Sequence, residues 1–267
     1  MQIKNQILDI INNNLKNPIY KTIQLLNMKS ILKKSNFIKK DGASLHLVIL
    51  HFVYMLVMNK KISSYMKQSN DSYSKDVYYR LLNNTNYNWR KLLSLSSLKI
   101  LSLLEKIRST KLKVLILDDT IENKVGKVIE GSCDKLYSNK EKRFIRGINV
   151  VSLNYSDGYS NFMLDFALSM NKYAKVKIQD FTNKVNHRTN AYKRRIESLK
   201  GKSTIAINMI QRAITSGLQV DYVLVDSWYS KPIFIKEIND YSTPKSQDNL
   251  KFPLILFSPI YLSHFII

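Results

Sequence analysis

The stretch KVLILDDT (residues 113–120) sets four consecutive apolar side chains, Val114 to Leu117, directly before Asp118, Asp119 and Thr120. An unbroken apolar run, as opposed to an alternating one, suits a central strand covered on both faces, and the acids would then stand where that strand ends. A second segment has the same form: DYVLVDSW (residues 221–228) runs through apolar residues into Asp226. Between the two lie GINVVSLNY (147–155) and YSNFMLDFAL (159–168), joined by Ser156-Asp157-Gly158. Asp-Gly between apolar runs is a strong hairpin signal. A helical run follows from about Tyr192 to Thr215, closed by Gly217 as a C-cap, and Pro232 suits the first turn of a helix over Ile233 to Ile238.

The order is therefore strand, strand-turn-strand, long helix, strand, helix, with an antiparallel pair beside strands that should be parallel. This is the opening order of a ribonuclease-H-like sheet. The first and fourth strands are neighbours there, so acids at their ends converge, and Asp119 and Asp226 become the expected pair. Asp118 points to the opposite side of a regular strand and is set aside. Acids that only cap strand ends or adjoining helices would give the same pattern, so both readings stand at this point.

Upstream, residues 1 to about 105 carry Leu, Ile, Lys and Asn at helical spacing, with no strand-turn-strand pattern. The expected organisation is a helical N-terminal domain over 1–105, an incomplete mixed-sheet α/β core over 106–240 (α+β for the whole chain), and an atypical apolar tail over 241–267. Ser69 to Ser74 is a polar turn before KDVYYRLLNN, a helix with Lys75, Tyr78 and Arg80 near its start, where a recognition helix meets DNA. A solvated helix with its tyrosines turned inward explains the same residues. Asn88-Trp89-Arg90-Lys91 places an indole for the core and two cations for the surface, and a basic stretch from His187 to Arg195 includes Arg194.

Forty-two Lys and Arg against twenty Asp and Glu give the 267 residues a formal charge of +22, which calls for an anionic partner, nucleic acid first. With 45% apolar residues the chain can bury a core. The single cysteine, Cys133, excludes an internal disulfide framework and fits a reducing cytoplasm. Met1 to Lys16 lacks the apolar centre of a signal peptide, and Leu45 to Met58, at roughly 14 residues, is too short to span a bilayer and is expected as a buried helix. No membrane partner is expected. Phe252 to Ile267 contains no Lys, Arg, Asp or Glu; a buried strand, a read-through end and a tail anchor are the readings, the last disfavoured by Pro253 and Pro259.

Strand-end carboxylates suit in-line displacement at phosphorus, which uses two metal ions, and Mg²⁺ prefers carboxylate and water oxygens. Other constellations fail. Gly201-Lys202-Ser203 lacks the earlier glycine of a phosphate-binding loop, since Ile196 stands there. His46, His51, His187 and His264 have no metal-ligand spacing, and no serine-hydrolase elbow is present.

VLILDDT (114–120), RGINVVSLNYSDG (146–158) and DYVLVDSWYS (221–230), with KDVYYRLLNN and NWRKLL over 75–93, resemble bacterial insertion-sequence transposases of the DDE superfamily, of the insertion-sequence-four kind. The resemblance covers roughly residues 20 to 240. It implies that Asp119 is the first metal ligand and Asp226 the second. It also implies Mg²⁺ or Mn²⁺ as cofactor, two ions in a complete site, and double-stranded DNA, transposon ends and target, as partner. By the same resemblance the protein cleaves those ends and transfers strands as a homodimer on paired ends, in the cytoplasm at the nucleoid.

The family's third ligand is a Glu on a later helix marked by Tyr, Arg, Glu and Lys. Tyr192 and Arg195 reproduce the first spacing, but Leu199 occupies the Glu position and the segment precedes Asp226; Glu237 sits on the helix immediately after Asp226. The expectation is a truncated transposase lacking the third acid. The alternative is a non-catalytic DNA-binding remnant or regulator of transposition.

Overall fold

Val114 to Leu117 form the buried opening of the first strand, as an apolar run demands. The structure, a computed structural model, describes residues 24–39, 41–68, 73–107, 112–124, 126, 129–138, 141–178, 184–229, 231–241 and 254–257. Met1 to Lys16, most of the Ser69–Ser74 turn and the tail apart from 241 and 254–257 lie outside the described residues. Two compact units divide the chain, residues 1–99 and 100–267.

The first unit is helical: α1 (Met28–Lys34), α2 (Leu45–Val57), α3 (Ile62–Gln68), α4 (Lys75–Asn83) and α5 (Trp89–Leu104), whose last residues belong to the second unit. Its core gathers Ile31, Leu32, Phe37, Val48, Ile49, Met55, Tyr78 and Leu81. Phe37 stacks on Tyr87 and meets Trp89 edge-on, with ring centroids 4.4 and 4.9 Å away. The expected burial of α2 is only partial. The helix buries Val48, Ile49 and Met55, while Leu56 and Val57 are exposed, because within this unit it packs along one stripe against α1 and α4. Among the described residues no helix is long and apolar enough to cross a membrane.

The second unit is mixed α/β. Six strands, β1 (Val114–Asn123), β2 (Cys133–Ser138), β3 (Arg143–Ser156), β4 (Asn161–Ser169), β5 (Tyr222–Asp226) and β6 (Leu254–Phe257), form one sheet. The helices are α6 (Asn190–Ser198), α7 (Lys202–Thr215) and α8 (Pro232–Tyr241). β1 is central: it runs antiparallel to β3 and parallel to β5, and β6 adds to β5 in parallel. On the other side of β3, β2 pairs near residues 143–147 and β4 along 149–156, so the two share one edge of the longer strand.

Several boundaries depart from expectation. β1 does not end at its acids but continues to Asn123, because Ile121 to Asn123 still find partners on β3. The expected helix over 192–215 is two helices: α6 starts earlier behind Thr189, whose hydroxyl accepts from Tyr192 N, and α7 restarts from Gly201. The β3–β4 hairpin forms as expected, with Gly158 at φ +82° and Asp157 Oδ1 accepting from Tyr159 N and Ser160 N. Gly217, at φ +87°, follows the end of α7.

Alternation along β1 assigns each side chain to a layer. Leu115 and Leu117 join Val151, Leu153, Val223 and Val225 under α7 (Ile205, Met209, Ile210) and α8 (Phe234, Ile238). Val114, Ile116 and Leu224 form a smaller cluster on the opposite face. Gly147 is where β1, β2 and β3 meet, paired with both Asn123 and Cys133. A Cβ there would lie 2.5 Å from Glu122 O and 2.8 Å from Ile121 Cγ2. Gly147→Ala is therefore expected to destabilise the chain by about 2 kcal/mol, the cost of overpacking against backbone that cannot yield. Urea unfolding of the purified variant checks this, and an unchanged midpoint would mean that the strands part there at no cost.

Candidate active site

Strand pairing brings Asp118, Asp119 and Asp226 to one end of the β1–β5 pair. The last paired residues are Leu117 and Val225, and one residue beyond stand Asp118 and Asp226. Asp119 lies one residue further along β1, opposite Val151 of β3, in step with Leu115 and Leu117 and so on the α7 face. The alternation that separates Asp118 from Asp119 thus holds, but it leaves Asp118, the acid the sequence reading set aside, as the one in register with Asp226.

Asp119 is the most heavily engaged of the three. Its Oδ2 accepts from Lys202 Nζ at 2.6 Å and from Asn149 Nδ2 at 3.2 Å. Lys202 is the first residue of α7, and Asn149 lies two residues from Val151 on the same face of β3, so three elements converge on one carboxylate. The Lys202–Asp119 pair is mostly shielded, with side chains 23% and 20% exposed. Asp226 closes β5 half-buried and accepts from Ser227 Oγ at 2.9 Å.

The acids influence one another. Burial pushes the Asp118 carboxyl above its ordinary value; a hydrogen bond from Asp119 N and the Lys202 charge pull it down, while the charges of Asp119 and Asp226 push it up. Tyr229 reports the same field. The phenol is raised first by burial, then by Asp119, Asp118 and Asp226 in that order. Its hydroxyl is buried without a hydrogen-bond partner among the described residues, as is Oδ1 of Asn149. Carboxylates that repel one another beside unpartnered oxygens fit a hydrated divalent cation, and oxygen-only donors suit Mg²⁺. Among the described residues, however, no three His, Cys, Asp or Glu side chains group tightly enough to hold a metal ion by themselves. Glu237 is exposed on α8.

The basic residues singled out for DNA are placed unevenly. Lys75 and Arg80 are exposed on α4, with Lys75 Nζ 5.4 Å from the Tyr79 ring centre and Arg80 Nε donating to Asp76 O at 3.2 Å. Tyr78 requires correction. It is 0% exposed, with its hydroxyl 3.2 Å from His51 Nδ1, because α4 turns this face into the helical core; it cannot reach DNA. Lys91 is exposed on α5 and Arg90 half-buried. Arg195 is held by Glu130, its Nε 2.7 and 3.0 Å from the two carboxylate oxygens, and Arg194 lies over the Phe166 ring at 4.5 Å. Lys202, Asn149 and Tyr229 escaped sequence reading. Lys202 fell inside the single helix expected over 192–215, and its Gly201-Lys202-Ser203 stretch was weighed only as a phosphate loop and rejected, so its place at the start of α7 beside Asp119 comes from the structure.

The family profile of DDE superfamily endonucleases matches residues 61–242, more than half of the chain, and the chain belongs to that family. DNA is accordingly its substrate class. No curated protein matches the chain.

Proposed function

We propose that the protein is a DNA transposase of an insertion sequence, of the insertion-sequence-four kind, in which Asp119 and Asp226 hold Mg²⁺ or Mn²⁺ and act on transposon ends as a homodimer on paired ends. The observation that carries this reading is the convergence of acids from β1 and β5 around one electrostatic focus, in a chain of the DDE endonuclease family. A ribonuclease-H-like core is the matching fold assignment, with β4, β3, β1, β5 and β6 as its five strands. The ions would supply activation of the attacking oxygen and stabilisation of the leaving one. The chain's own groups do the rest. Asn149 orients the Asp119 carboxylate, Lys202 neutralises it, and the short backbone link from Asp226 to the buried Tyr229 anchors the second acid to the core.

A second reading, a DNA-binding chain with little catalysis, is favoured by one observation: the described residues offer no three-ligand group. The two readings combine in one expected result. The 267-residue chain should bind DNA yet cut duplexes bearing its flanking ends at least about 10²-fold more slowly than a form carrying the third acid, since even small misplacement of reacting groups costs about that much. Gel assays with Mg²⁺ and Mn²⁺ read the cutting, with Asp119→Ala and Asp226→Ala as controls. Robust cutting by the chain, abolished by either substitution, would make a residue such as Glu237 the third ligand. Robust cutting that survives both would sink the site assignment.

A further inference from the structure

Trp228 stands two residues after Asp226 on a short 3₁₀ turn (Ser227–Tyr229) and is 45% exposed, whereas Tyr229 beside it is wholly buried. The indole meets the Tyr229 ring nearly at right angles, centroids 5.0 Å apart, and Tyr229 in turn rests against Phe234 of the core at 5.4 Å. The exposed ring is thus mounted on a rigid support. Two ammonium groups lie over it, Lys202 Nζ at 5.0 Å and Lys231 Nζ at 4.5 Å from its centre. Lys202 is also the partner of Asp119, so a single side chain joins the indole to the acids.

We propose that Trp228, flanked by Lys202 and Lys231, is a stacking site for an unpaired nucleobase of a DNA strand lying across the acids. The proposal rests on DNA being the substrate. A flat aromatic surface beside two cations suits a ligand that combines a π face with negative charge, and it repels a cationic one. Nucleotides have that combination, and every base offers a π face, so the site would be indifferent to sequence. It would not be indifferent to pairing. A base inside a duplex already has both faces covered by its neighbours, so only an unpaired or displaced one can lie on the indole, with Lys231 turning to its flanking phosphates while Lys202 stays on Asp119.

The chain has two tryptophans, and the other, Trp89, can be replaced by Phe to leave Trp228 as the only indole emitter. That variant is titrated, in EDTA, with a thymidine oligonucleotide of about 12 residues and with a duplex of equal length. The single strand is expected to quench Trp228 emission and the duplex to leave it nearly unchanged. In the full chain Trp228→Ala should weaken single-strand binding about 10-fold or more, while Trp228→Phe keeps most of it, because a phenyl ring still stacks. Unchanged single-strand affinity in a Trp228→Ala protein with a native circular dichroism spectrum overturns the proposal. If that variant does not fold, quenching decides: a single strand that binds the Trp89→Phe protein without quenching it, or a duplex that quenches equally, overturns the stacking site and leaves the DNA reading intact. Failure of both probes to bind overturns both.

Discussion

Raising monovalent salt from about 50 to about 200 mM is expected to weaken DNA binding by about 10³-fold or more, the loss typical of a protein that neutralises roughly six phosphates and releases their counterions. The charge of +22 on 267 residues sets this expectation. The structure sharpens it by separating cations that are committed to the fold from those that are not. Arg195 is held by Glu130, and Arg212 lies between Asp165 and Glu197. Lys75, Arg80 and Lys91 are exposed on helices of the first unit. Replacing Lys75 and Arg80 together should therefore reduce the slope of log K against log salt by about two, whereas Arg195→Gln should leave it nearly unchanged and act on stability instead. Fluorescence anisotropy over a salt series measures both. A flat salt dependence would remove phosphate contact from the account, and an unaltered slope in the Lys75/Arg80 variant would return α4 to the solvated surface.

Arg212→Met is expected to cost about 3 kcal/mol of folding stability, a large share of what a domain of this size holds. Arg212 Nε donates to Asp165 Oδ2 at 2.7 Å and its Nη1 to Glu197 Oε1 at 2.8 Å, joining α7 to β4 and α6. The acids are the buried partners, their side chains 8% and 10% exposed against 35% for the arginine. Removing the cation would take its positive charge away from two mostly buried carboxylates. The cost comes from keeping that negative charge buried without the arginine more than from the lost attraction, so adding Asp165→Asn and Glu197→Gln to Arg212→Met should recover much of the stability. Urea midpoints for the single and triple variants decide it. A single variant as stable as the parent, or a triple variant no better than the single, would show that the network contributes little.

What could be read from sequence was whatever local chemistry determines. The unbroken apolar runs before Asp119 and Asp226 announce β1 and β5, and Asp157-Gly158 announces the hairpin, because burial and turn geometry act on consecutive residues. β2 was missed: CDKLYS is short and half polar, and it is a strand only because β3 offers it an edge. The break between α6 and α7 was missed as well, since apolar spacing continues across it and Gly201 alone marks the restart. Within the site, the pairing register was the hidden quantity. Alternation gave the opposite faces of Asp118 and Asp119 correctly, but no local pattern says which residue of β1 stands beside Asp226. The same register decides that Asn149 faces Asp119, and the return of α7 to the β1 acids decides that Lys202 does. Tyr78 shows the converse limit, since its place near the start of a basic helix suggested DNA while tertiary packing claimed it for the core.

The pairing of β6 with β5 also bears on handling and engineering. Leu254 to Phe257 hydrogen-bond along Val223 to Asp226, the strand that carries one of the acids. A version of the protein cut back to remove this uncharged segment as dispensable would bare a row of unpaired amide and carbonyl groups on a strand whose Val223, Leu224 and Val225 are already buried apolar residues. Such an edge is a template for the same strand of another molecule. The shortened protein would therefore tend to self-associate through β5, and loss of soluble yield in it would report strand-to-strand aggregation and not the loss of a site.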